Sequence, residues 1–147
     1  MSINEFHGVS EQSKAIGQRL LDAKVLAAAG RWRGSIYLAG YAVECALKAQ
    51  LMRKFDCRTL DDLEQELGRR GILPVQKTVY THQLISLLEL TGSLPRMRRN
   101  LVLWRMFSVV NKWVPAWRYT SDPSSRTATT EFLEAVEQVV QWITNNV

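Results

Sequence analysis

Tyr37, Tyr41, Glu44 and Lys48 stand at offsets of 0, 4, 7 and 11 in a run with few other polar residues. On a helix that spacing puts all four on one face. Glu44 four residues before Lys48 is also the favourable order for a helical ion pair. A carboxylate and an ammonium in so apolar a run are costly unless they are paired or solvated. Two readings stay open. Either the pair is a half-buried link that fixes packing, or it belongs to a polar seam lining a cleft, with the tyrosines offering hydroxyls or stacking faces to a ligand.

A second group, Trp113, Pro115, Trp117, Arg118 and Tyr119, interleaves aromatic rings with a guanidinium. Base stacking and phosphate contact require that combination, and so does a rigid turn packed between two helices. His82 opens a predicted helix beside its Thr81 cap. There it is placed to act as a hydrogen-bond partner or a base near neutral pH, or simply to bond a neighbouring loop. Cys45 sits next to Glu44 in the apolar run, a setting that raises a thiol pKa and argues against a nucleophile. His7 receives no role. The sequence has no glycine-rich phosphate loop, no Cys/His metal spacing and no HExxH pair, so no metal or cofactor is expected.

Charge is segregated along the chain. The net charge is +5 and the pI about 9.5, a weak argument by itself for a polyanionic partner. Between Glu89 and Asp122, however, there is no acidic residue, while Arg96, Arg98, Arg99, Arg105, Lys112 and Arg118 fall in that interval. Arg98, Arg105 and Lys112 recur every seven residues, nearly two turns, which predicts one basic face of a single helix. Such a stripe is either a solvated face or a surface for RNA backbone. Acids gather instead at Asp61, Asp62, Glu64 and Glu66.

The elements that must position these residues read as helices throughout. The 147 residues, 46% apolar and 22% charged, fit one domain with its own core. A first helix is predicted over about 10–29, capped by Ser10, stopped by Gly30 and striped by Ile16, Leu20, Ala23 and Ala27. A second, apolar on most faces, is predicted from 31 or 33 to 55, the pattern of a central helix. A short helix follows over 60–70, with Thr59 as its cap. Others are predicted over 82–90 and 95–113, the latter burying Leu101, Trp104, Phe107 and Val110. The bend VPAWRYTSDPSS leads into a last helix over 125–145, striped by Phe132, Ala135, Val136, Val139, Val140 and Ile143. The fold class expected is an all-α, up-and-down bundle of four to five main helices, with residues 1–9 mobile. The longest nearly apolar stretch, Ile36 to Leu47, contains Glu44 and is too short to span a membrane. The first residues carry no secretory pattern, and the two cysteines make no disulfide framework. A cytoplasmic location is therefore expected.

The runs SIYLAGYAVECALKAQL and THQLISLLE, followed by W-x-x-x-WRY in KWVPAWRYT, resemble the HEPN domain family from about residue 14 to 141. The resemblance implies a four- or five-helix bundle, usually a homodimer, in systems that act on RNA or pair with a nucleotidyltransferase. It implies a toxin–antitoxin or defence-like setting. Carried over by position, the shared polar residues are Glu44, Lys48, His82, Arg118 and Tyr119. Many active members cleave RNA with an Arg, four to six intervening residues and a His. Here the positions that the histidine would occupy after Arg118 are Pro123, Ser124 and Ser125. The departure points to a branch that binds RNA or a nucleotide without cleaving it. On that reading Arg118, Lys48 and Arg105 contact phosphate, Lys112 extends the basic stripe, and Trp117 or Tyr119 stacks a base. Two alternatives stand beside it: a ribonuclease in which His82 works with Arg118, and a pure protein-interaction module. With five tryptophans and two wide apolar faces, a homodimer burying more than about 1,200 Å² is expected.

Overall fold

The computed structural model describes residues 8–120 and 123–147; the side chains of residues 118 and 119 are also outside the described set. Residues 1–7, most of the segment expected to be mobile, lie outside it too, and His7 with them. Among the described residues the chain forms seven α-helices and one 3-10 helix. They are α1 (Val9–Ala28), α2 (Trp32–Lys54), α3 (Leu60–Arg69), α4 (Leu84–Leu90), α5 (Leu94–Arg99), α6 (Leu101–Val110), the 3-10 turn Pro115–Tyr119, and α7 (Arg126–Asn146). This is the all-α bundle the periodicities predict, with α3 as the short extra helix. No described helix is long and apolar enough to cross a membrane.

Helix α2 is the centre, as its apolar composition requires. Every residue from Ala42 to Met52 is buried, because α1, α3, α4, α7 and the 3-10 turn all pack on it. The α1 stripe meets it through fully buried Ala23, with Ile16 and Leu20 half-buried beside it. Ser35 Oγ donates to the Ala23 carbonyl at 2.7 Å and ties the two helices together. Their connection turns at Gly30, with φ of +75°, a conformation that favours glycine. The Arg31 amide returns to the Leu26 carbonyl and the Gly30 amide to Ala27, which satisfies the end of α1. All six residues of the α7 stripe are buried, chiefly against α2 and α6. Thr59 and Ser125 cap α3 and α7 through the amides of Asp62 and Ala128, each at 3.1 Å.

Three predicted boundaries are corrected. Helix α1 begins at Val9, capped by Gly8 rather than Ser10, because Gly8 bridges Thr59 and the Val9 amide bonds the Arg58 carbonyl. Helix α4 begins at Leu84, not at His82. The Thr81 hydroxyl accepts from the Gln83 amide at 3.1 Å and closes a turn, so His82 precedes the helix. The predicted helix over 95–113 is two. Asn100 takes an extended conformation (φ −95°, ψ 97°), and its side chain caps α6 by accepting from the Leu103 amide at 3.2 Å. The break turns Leu101 outward, 66% exposed instead of buried, and leaves Trp104 half-buried, while Phe107 and Val110 stay in the core. Arg98, Arg105 and Lys112 therefore do not share one helix: the first is on α5, the second on α6, and the third lies beyond its end.

Candidate functional site

The polar face of α2 comes together as its spacing predicts. The hydroxyls of Tyr37 and Tyr41 are 3.2 Å apart, and their rings meet edge-to-face at 5.1 Å. One turn further, Glu44 is 6% and Lys48 5% exposed. The Lys48 ammonium donates to Glu44 Oε2 at 3.2 Å. The other carboxylate oxygen, Oε1, is 2.5 Å from Nδ1 of His82, whose side chain is 53% exposed. A carboxylate can only accept, so Nδ1 carries the proton on this bond and Nε2 is left available. The trio thus runs from a buried ammonium, through a buried carboxylate, to an imidazole at the surface.

His82 is held there by the segment before α4. Val79 is buried, and its amide donates to Glu64 of α3 at 3.1 Å. The Thr78 hydroxyl also bonds Glu64, and the Tyr80 hydroxyl bonds Asp61. Burial, and then the bond to Asp61, push the Tyr80 phenol up to about 12. Two of the clustered acids therefore strap down the loop that carries His82. A third, Glu66, pairs with Arg69 and Arg70, whose hydrogen bonds hold its carboxyl below the usual range. On the other side, Asn111 Oδ1 accepts from the Ile85 amide at 3.1 Å and fixes the first turn of α4.

Trp113 closes the site from below. Its indole is 2% exposed, meets the Tyr41 ring at 4.8 Å, and donates from Nε1 to the Tyr37 carbonyl at 3.0 Å. It fits because residue 40 is glycine: a Cβ there would lie 2.2 Å from the indole ring. Tyr41 also meets the His82 ring edge-to-face at 6.0 Å. Gly40 and Asn111 complete this arrangement without any motif. The one signal for the first is a glycine in the interior of the most apolar helix.

The 3-10 turn carrying Trp117 packs on α2. Trp117 is half-buried near Phe132 at 6.1 Å, with the Arg33 guanidinium 5.3 Å from its ring. The side chains of Arg118 and Tyr119 lie outside the described residues, and with them the His82–Arg118 approach on which the ribonuclease reading turns. Arg105 and Lys112 are exposed and take no part in the trio's hydrogen bonds. Burial, and next the Glu44 carboxylate, push the Cys45 thiol up to about 11, so it stays protonated near neutral pH, as its sequence setting predicts. Nothing matches this chain among models of protein families, curated proteins or solved structures.

Proposed function

We propose that the chain is a cytoplasmic HEPN-type module, homodimeric, that binds RNA or a nucleotide without cleaving it and acts with a partner protein. A nucleotidyltransferase in a toxin–antitoxin or defence-like system is the partner the family resemblance implies. The observation that carries the binding reading is the half-exposed His82 held by the buried Glu44–Lys48 pair. An imidazole bonded through Nδ1 to a buried carboxylate, with the Tyr41 ring edge-to-face against it, offers a hydrogen bond to a phosphate, a ribose or a base edge without having to be ordered on binding. Lys48 neutralises Glu44 from inside, Arg118 supplies the phosphate contact, and Trp117 or Tyr119 the stacking ring. The basic stretch from Arg96 to Arg118 adds a positive field that draws in a polyanion.

One observation favours a second reading. A carboxylate bonded to Nδ1 of an imidazole is also what orients a general base, so His82 would suit RNA cleavage with Arg118. Fluorescence anisotropy of a labelled single-stranded RNA, at two salt concentrations, tests both. Affinity that falls steeply with salt and drops several-fold in His82→Ala, with the RNA intact on a denaturing gel, supports binding. RNA shortened in the presence of a chelator, and intact with His82→Ala, supports cleavage. No binding of RNA or nucleotide at low salt refutes both and leaves the interaction-module reading.

A further inference from the structure

The outer face of α6 sets one basic side chain, Arg105, between exposed apolar ones, and the groove beside it is lined by amides. Leu101, Arg105 and Val109 follow one another at four-residue spacing, so they form one stripe. Val102 flanks it. Leu101, Val102 and Val109 are 66%, 63% and 39% exposed. Between α6 and α7 a groove of about 420 Å³ has Leu103, Met106 and Trp142 along its length and Gln138, Gln141 and Asn145 at its rim. No acidic residue lies between Glu89 and Asp122, so the charge on the α6 stripe is positive.

We infer that this face docks a partner protein through an amphipathic helix whose apolar residues meet Leu101, Val102 and the groove and whose acidic residues meet Arg105. Charge complementarity selects the partner. A second copy of the chain is the competing occupant, and the sedimentation measurement below tells the two apart. RNA is disfavoured because the exposed apolar groups are aliphatic and have no ring on which a base could stack. Only the partner-protein part of the function proposed above bears on this inference; its RNA part is measured separately.

The test uses the whole chain and two synthetic helical peptides of about 20 residues, long enough for several turns. One is built of Leu, Ala and Glu, the other of Leu, Ala and Lys. The acidic peptide is expected to bind by fluorescence anisotropy, more weakly at high salt. Leu101→Asp and Arg105→Glu should each weaken it at least tenfold, and both sites are exposed enough to leave the fold intact. The basic peptide is expected to bind only Arg105→Glu. The inference is overturned if the acidic peptide does not bind, or binds both variants as well as the parent. It is equally overturned if Leu101→Asp weakens RNA binding as much as peptide binding, or if it dissolves a homodimer seen by sedimentation. Loss of RNA binding in His82→Ala with the peptide still bound would leave the docking face standing by itself.

Discussion

Replacing Lys48 with Met keeps most of the side chain's length while removing the charge that faces Glu44. The carboxylate would then sit 6% exposed with His82 as its remaining partner among the described residues. At 3.2 Å the pair attraction is about 5 kcal/mol for an effective dielectric of about 20. Stranding one buried charge by removing its partner costs about 3–5 kcal/mol. Single domains have only about 5–15 kcal/mol in total, so Lys48→Met should lose a large part of the stability. The double variant Glu44→Gln with Lys48→Met leaves no buried charge, and the amide oxygen of the new glutamine can still accept from His82. It should return to within about 1 kcal/mol of the parent, since replacing a buried pair by neutral groups of similar volume is often neutral. His82→Ala should cost only about 1 kcal/mol, because water can reach the oxygen it uncovers. Urea unfolding followed by far-UV circular dichroism measures all three. Equal damage in the single and double variants would mean that each residue is solvated independently, and would refute a coupled buried pair.

Gly40→Ala should push the Trp113 indole off its seat and cost at least about 1–3 kcal/mol, as overpacking does. Gly17→Ala, where a Cβ meets nothing within 4 Å, should instead stabilise α1 by about 0.5–1 kcal/mol; thermal unfolding of the two variants decides. Cys45 gives a pH test with a definite sign. Its thiol holds the proton more tightly in the fold (about 11) than at its ordinary value of 9.0, so its stabilisation is complete below pH 9 and is lost as pH rises through 11. The loss should amount to about 2–3 kcal/mol. The dependence of stability on pH across that window should be flatter in Cys45→Ala, and an unchanged slope would refute the assignment to Cys45.

The long helices were legible because burial and periodicity agree in them. Apolar residues surround α2, the α7 stripe keeps three- and four-residue spacing throughout, and Thr59 and Ser125 are capping residues used as such. The break at Asn100 was hidden because strong helix formers lie on both sides and neither glycine nor proline marks it. An asparagine side chain makes the break by capping the next helix. Gly8 displaced Ser10 as a cap through a bridge to Thr59, a partner that no local pattern names. In the site, Glu44 and Lys48 follow from helix spacing alone. Their junction with His82, 38 residues on, depends on acids of α3 that tie down the intervening loop.

The side-chain amide of Gln50 on α2 donates to the carbonyls of Ile143 and Thr144, at 3.0 and 2.8 Å, more than 90 residues away. The order of folding follows from that separation. Helices α1 and α2 are joined by three residues, so their hairpin closes a small loop at little entropic cost. The α2–α7 contact needs much of the chain to close, and contacts of such long range form late. Gln50 is therefore a latch set after the hairpin exists, and losing it should speed unfolding more than it slows folding. By the same logic the amides of α7 should exchange with solvent before those of α2.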